Sequence, residues 1–546
     1  MNKILKYLLF GIAFIIVGLL VGFKLNDQSS SRGMISIDDG VRKLQETIYF
    51  IQRNYVKSLD NDKLVDDAIQ GMLDGLDPHS FYIPRSEMKQ MEEQMTGGFD
   101  GIGIEFSILE DTIYVVTPIA GGPSEKQGIM AGDRIVKVDG KNLAGVNITN
   151  LDVMKNLKGP KGTNVVVSVA RRGVKELIDF DITRDRIPLY SVSYSYMMDD
   201  ETGYMRVTRF SETTYDEFRQ HLGELIDEGM QSLILDLRGN PGGYMTMAYK
   251  MADEFLQKDK LIVSTEGRIS ESKQRYVATS SIGSFEKGGL VVLIDYGSAS
   301  ASEIVSGAIQ DHDRGLIVGV RSFGKGLVQI QKKFDDGSAI RVVISEYYTP
   351  SGRCIQKPYD KSSQDYNHEI VERFESGEIY DESKIPVPDS LVFKTAAGRT
   401  VYGGGGIYPD VFVSTDTSGL SKFLTDLNSK DMFRGFAYVY ADDHEAITRN
   451  FSSSRDFTNR FEVDKELLQE FKSYVEAHGL TFDPVGYQAS KKYIHNNLKA
   501  LIGRKLYQDD GYYPVLHQTD NVLEEAKKLM PAARELSETG KFTYED

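Results

Sequence analysis

The sequence predicts a multidomain α+β chain: an N-terminal membrane segment and helices, a small β-rich domain, an α/β layer and a helical C-terminal region. Three observations carry this. Tyr7 to Phe23 is almost uninterrupted Leu, Ile, Val, Phe, Gly and Ala. Between 97 and 186 short β-branched runs alternate with glycine turns, and from 203 onward strand-length apolar runs alternate with helical stripes. With 546 residues, 40% of them hydrophobic and 26% charged, the chain has the composition of ordinary globular protein and the length for several domains.

Lys3 and Lys6 precede the apolar N-terminal run, and no small-residue cleavage pattern follows it closely, Ser29-Ser30-Ser31 being a weak candidate. The expectation is an uncleaved signal anchor over 1–26, single-pass in the inner (cytoplasmic) membrane, with the bulk of the chain in the periplasm or outside the cell. A net charge of −16 argues against nucleic acid as a partner. The lone Cys354 forms no intrachain disulfide and reads as an incidental thiol.

In the region 34–96, apolar side chains repeat at helical spacing over Ile37 to Tyr55 (Val41, Leu44, Ile48, Ile51) and again over Leu64 to Leu76. The second helix runs into Gly75-Leu76-Asp77-Pro78-His79-Ser80, where Pro78 stops it and Asp77 or Ser80 caps the next segment; His79 reads as a turn residue. Residues 97–186 carry Gly101-Ile102-Gly103-Ile104-Glu105-Phe106 and further β-branched runs at 112–116, 133–138 and 164–169.

The α/β region, 187–415, begins with strand, helix and strand at 203–207, 214–228 and 232–237, then the loop Arg238-Gly239-Asn240-Pro241-Gly242-Gly243. Two successive glycines suit a backbone that approaches something closely, but the loop lacks the lysine and Ser/Thr of a P-loop. A helix at 245–255 and a strand at 261–264 come next, and Asp335-Asp336-Gly337 joins two strands as a hairpin. Lys357 to Pro388 is polar and is expected on the surface; Gly403 to Gly406 says only turn. From 416 to 546 helical stripes recur at 420–427, 465–477, 488–502 and 519–530, with no motif that carries chemistry.

The stretch with the most chemistry is Gly297 to Gln329. An apolar run, Leu290 to Ile294, leads into Ser298-Ala299-Ser300-Ala301-Ser302-Glu303, and Ile304, Val305 and Ala308 form one face of the next helix. Backbone N–H groups at such a strand-to-helix junction can stabilise a developing oxyanion. Downstream, Phe323-Gly324-Lys325-Gly326 sets a lysine between glycines. The chain has no HExxH, no CxxC and no G-x-S-x-G, which argues against a zinc enzyme and a nucleophile elbow and leaves lysine as the candidate base. A lysine that accepts a proton must be neutral, so its reference pKa of about 10.4 must be lowered, as burial does in lysines that reach roughly 5 to 6.

These motifs resemble the carboxyl-terminal processing peptidases, or tail-specific proteases. The resemblance rests on the 64–80 segment, the PDZ-like 97–186, DLRGNPGG, SASASE, FGKGLVQ and GGGGIYPD, about three-quarters of the chain. It implies an α/β core of the crotonase/ClpP-like type and a serine endopeptidase with a Ser-Lys dyad, needing no metal or cofactor. By position, Ser300 is the nucleophile, Lys325 the general base and Gln329 the residue that orients it; Gly242 and Ala301 supply oxyanion N–H groups. Glu303 is a possible supporting residue, with a structural salt bridge equally open. Gly101, Ile102, Gly103, Ile104 and Phe106 form the loop and strand that would bind a substrate's C-terminal tail, a nest of N–H groups taking the carboxylate. Ser298 and Ser302 are expected to make turns and caps, so their Ala variants should retain activity. The competing reading is a silent scaffold of the same fold that binds peptide tails or an apolar ligand. No adaptor or oligomeric state is specified.

Overall fold

The structure, a computed structural model, describes residues 37–279, 283–359, 363–387, 390–444 and 450–543. The apolar 7–23 segment lies outside them, and among the described residues no helix is long and apolar enough to cross a membrane. The described residues fall into two compact units that divide between Pro84 and Arg85.

The first unit holds helix α1 (Ile37–Asn54) and helix α2 (Asn61–Leu73). α2 starts three residues before the expected Leu64 because Asp60 caps it, its carboxylate accepting the N–H groups of Asp62 and Lys63 at 3.1 and 3.2 Å. Asp77 builds the following turn by accepting the N–H of His79 at 2.7 Å and both the N–H and the hydroxyl of Ser80 at 2.8 and 2.6 Å.

The second unit opens with helix α3 (Arg85–Met95). Next comes an antiparallel sheet: β1 (Ile104–Leu109), β2 (Thr112–Pro118), β3 (Arg134–Val138), β4 (Asn164–Ala170) and β5 (Ile178–Thr183) pair in that order, with helix α4 (Asn150–Leu157) across one face. Ile113, Val115, Ile135, Val167 and Val169 alternate inward beside Val153 and Leu157 of α4 and make its core.

The central sheet has the order β6 (Val192–Met197), β7 (Thr202–Val207), β8 (Ser232–Asp236), β9 (Gly289–Ile294), β10 (Leu316–Gly319) and β11 (Val411–Phe412), parallel from β7 onward. Every residue of β9 is buried, because helices cover both faces, which is why it reads as a continuous apolar run. Leu290, Val292 and Ile294 pack among helices α5 (Thr214–Asp227), α6 (Met245–Asp253) and α7 (Ala301–Asp311). Val291 and Leu293 face the other way, onto helices α8 (Asn521–Lys528) and α9 (Met530–Thr539). The end of the region expected as one helical domain therefore returns to complete the core. The helix expected at 519–530 is the shorter α8, and α9 follows it beyond the expected range, Pro531 in its first turn starting the new helix.

Strands β12 (Leu327–Lys333) and β13 (Ala339–Tyr348) form the expected hairpin, with Lys333 opposite Ala339 and Gly337 at φ +91° in the turn.

Candidate active site

β9 ends at Ile294, and the chain turns through 295–300 into α7, a helix with no exposed face: all eleven of its residues are buried. The three serines of this turn separate by position. Ser298 and Ser302 are fully buried, and their hydroxyls donate to the carbonyls of Leu237 and Asn240 at 2.8 and 2.9 Å, pinning the glycine loop that follows β8. Ser300 is half-buried and lines a cleft of about 950 Å³. Its backbone sits at φ +54°, ψ −110°, a conformation a non-glycine residue holds only under constraint. The constraints are a 2.7 Å hydrogen bond from its N–H to Glu303 and a 3.1 Å bond from the buried Tyr347 hydroxyl to its carbonyl.

Glu303 is the hub of the site, and its partners are hydrogen-bond donors rather than the salt bridge left open by the sequence. Its fully buried carboxylate accepts from the N–H of Ser300 at 2.7 Å, the N–H groups of Gly324 and Lys325 at 2.7 and 2.9 Å, and the hydroxyl of Ser322 at 2.5 Å. Burial pushes this carboxyl above its ordinary range, and the four donors pull against that. One carboxylate thus ties the serine turn to the lysine loop. The half-buried Lys325 donates from Nζ to Gln329 Oε1 at 3.0 Å, and Gln329, on β12, is also a wall of the cleft.

The glycine loop lies against Ser300. A Cβ on Gly242, whose φ is +94°, would come within 2.7 Å of Ala299 O, 2.8 Å of Ser300 Cβ and 2.9 Å of Ala301 N; one on Gly243 would meet Phe210 O at 2.1 Å. Only glycine fits at either place. The N–H of Gly242, expected to face a reacting oxygen, is committed here to Asn240 Oδ1 at 2.9 Å, whereas the neighbouring Gly243 is exposed and lines the cleft. Ala301 opens α7, one of the first-turn N–H groups that the helix itself leaves without an internal acceptor.

The lysine loop rests on charged groups the sequence placed at the surface. Within 357–388, Lys357 and Arg373 are buried, Arg373 on a helix spanning Ser363–Ser376. Arg373 donates to the carbonyls of Ser322 and Phe323 at 2.8 and 3.2 Å and to Glu369 at 2.6 Å. Lys357 Nζ lies 4.2 Å from the Phe323 ring centroid and 4.1 Å from that of Tyr366, and pairs with Glu369 at 3.0 Å. The segment reads as polar because its charges are mutually paired, and pairing is what permits their burial. The four-glycine run belongs to the same scaffold: Gly405 O accepts from Arg321, and Ile407 N–H reaches Ser322 Oγ at 2.6 Å.

Among the described residues, no histidine or cysteine lines the cleft. A second, smaller cavity of about 270 Å³ lies between β1 and α4, lined by Gly101, Ile102, Gly103, Ile104, Phe106, Val153, Met154 and Leu157 among others.

Residues 201–362 match the model of peptidase family S41, and 101–182 match the PDZ domain. Residues 22–86 match the N-terminal domain of the activating protease CtpB, and 423–509 a family of unknown function. A carboxy-terminal-processing protease of Bartonella bacilliformis is 39% identical over 310 residues, 56% of this chain and 70% of that one. The carboxy-terminal processing protease CtpA of Bacillus subtilis is 37% identical over 340 residues, 61% of this chain and 69% of that one. The chain belongs to the carboxy-terminal processing proteases. It is a serine-type peptidase with a PDZ domain. In this processing protease, sequence reasoning missed Tyr347, Lys357 and Arg373, whose signals are one of two adjacent tyrosines at a strand's end and two cations in a polar stretch.

Proposed function

We propose that this protease is an exported, membrane-anchored endopeptidase. It takes protein substrates by their C-terminal tails in the groove between β1 and α4, and cuts them with Ser300 as nucleophile and Lys325 as general base. The observation that carries the reading is the Glu303 carboxylate, which holds the Ser300 turn and the Lys325 loop in one hydrogen-bonded unit, with Ser300 and Gln329 lining the cleft. Ser300 Oγ attacks the scissile carbonyl as Lys325 Nζ takes its proton, and the ammonium then protonates the leaving amine. Water, deprotonated by the same amine, releases the acyl group. Gln329 holds the lysine side chain in place. The oxyanion lies against Ala301 N–H and the Gly242–Gly243 turn, Gly243 donating where Gly242 stays bonded to Asn240. Carboxylate capture falls to the N–H groups of Gly101 to Ile104, with the tail adding a strand along β1. The apolar 7–23 segment behind Lys3 and Lys6 supports anchoring in the inner membrane with the catalytic part on the far side.

The test is cleavage of an unfolded protein with an apolar C-terminal tail by the Ser300→Ala and Lys325→Ala variants. Both should fall to background with the fold intact by circular dichroism. Turnover undiminished in either one rules out the dyad.

A further inference from the structure

The helical region between 423 and 509 has no part in the chemistry or the tail capture proposed for this chain, yet it grips the PDZ domain at a particular place. Along β1, Ile104 and Phe106 line the tail groove, and the intervening side chains leave by the opposite face. Glu105 accepts from Arg504 at 2.9 Å, and the Ser107 hydroxyl donates to Asp431 at 2.8 Å. On β2, buried Tyr114 stacks on buried Tyr438, ring centroids 5.4 Å apart and planes 15° from parallel. Lys505 adds a bond to the carbonyl of Ala131 at 3.4 Å and lies 5.6 Å from the Tyr438 ring centroid. At the rim Glu110 meets His478 at 3.3 Å. The strand that would receive a peptide is therefore shared, its two faces given to the groove and to the helical region.

The helical region is in turn fixed to the catalytic core. Beyond Tyr507 the chain continues to Asp510, which accepts from Tyr194 at 2.9 Å, to His517, which is 2.8 Å from the Tyr196 hydroxyl, and to Asp520, which pairs at 2.8 Å with Arg238 of the glycine loop. On the other side of the PDZ domain, Glu93 of α3 lines both the tail groove and the catalytic cleft and holds Lys158 at 2.7 Å.

We propose that 423–509 is a clamp on the back of the peptide-binding strand, which fixes the tail groove at the mouth of the cleft so that a captured tail is followed by cleavage. The proposal rests on tail capture by the groove. A clamp of this kind adds nothing to tail affinity, because it does not touch the groove, and nothing to the chemistry, because it does not touch the cleft. It acts on the link between them.

The test compares two forms of one unfolded protein, its apolar C-terminus free or blocked as an amide, and measures tail-peptide binding by fluorescence anisotropy in the full chain. Tyr438→Ala and Arg504→Glu should each lower the free-to-blocked ratio of kcat/KM at least fivefold, leaving blocked-tail turnover and tail-peptide Kd within twofold of the unaltered chain. The swap Glu105→Arg with Arg504→Glu should recover at least half of the lost ratio. A ratio unchanged in both single variants overturns the clamp, as does a loss shared equally by blocked-tail turnover or a swap that restores nothing. A ratio of one in the unaltered chain overturns tail capture itself, and the clamp with it, a result distinct from the others.

Discussion

Ser300 at φ +54°, ψ −110° stores strain of about 1–3 kcal/mol, which the surrounding hydrogen bonds must offset. Two substitutions separate the contributions. Gly242→Ala forces an alanine to φ +94° and drives its Cβ to within 2.8 Å of Ser300 Cβ, so the nucleophile must shift. A misplacement of that size costs a hundredfold or so in rate, and kcat should fall by about that factor with little change in KM. Glu303→Gln keeps the shape and removes acceptor capacity: four donors then face one oxygen and an NH₂ group. At least one buried donor loses its partner, at about 1–3 kcal/mol. This variant should lose both thermal stability, read by calorimetry, and kcat, since the same carboxylate orders both halves of the site. The Ser298→Ala and Ser302→Ala variants, whose hydroxyls pin the carbonyls of Leu237 and Asn240, should keep most of their activity, Ser302→Ala losing one hydrogen bond of about 1 kcal/mol and Ser298→Ala also the one its Oγ accepts from Asp295 N–H at 2.9 Å.

At the scale of elements, the lysine loop is held from behind by a buried network in which Arg321, Lys357 and Arg373 meet Glu369 and Glu378. Removing one member of such a network is costly, about 3–5 kcal/mol, because the others stay buried without their partner. Arg373→Met should therefore raise amide exchange at 320–326 and lower kcat, and Arg373→Lys should recover only part of both, since an ammonium does not reproduce the fork that spans Ser322 O, Phe323 O and Glu369. This network also marks the limit of what the sequence reveals. The apolar runs of β8 and β9 announced themselves because a strand covered on both faces needs no polar residue. The loop and first strand of the PDZ groove were equally legible, since Ile102, Ile104 and Phe106 follow the strand period and the glycines follow the turn. Residues 357–388 were not, because a polar sequence has the same texture whether its charges face water or one another.

At the scale of the whole molecule, the same ambiguity hid α8 and α9. Their stripes are helical, but a stripe does not say which surface it will cover, and the surface proved to be the second face of the central sheet. The connection into those helices places His517 beside the sheet, its ring 4.5 Å from that of Tyr204 and its Nδ1 2.8 Å from the Tyr196 hydroxyl. Burial lowers its pKa from 6.5 to about 4, with Asp520 and Asp236 opposing and Arg238 and Arg206 assisting. Above pH 6.5 both folded and unfolded chains hold this histidine neutral, and its environment carries no penalty. As the pH falls from 6.5 towards 4, the unfolded chain binds a proton that the folded chain refuses, so stability declines across that window and levels off below it. The shift corresponds to at most about 3 kcal/mol. Asp236 does not contribute there: burial raises it, but the Arg238 and Arg206 charges and the Arg238 hydrogen bonds hold it at about 2, and the stability it adds is lost only below its ordinary 3.8. His312 and His495, also lowered by burial, act in the same direction as His517, so the comparison must be between chains rather than between pH values. In His517→Gln, which keeps a polar partner for Tyr196, the drop in urea midpoint between pH 7.5 and 5 should be smaller than in the unaltered chain, with the midpoints at pH 7.5 close together. Equal drops would place the acid sensitivity elsewhere than at this junction of sheet and helices.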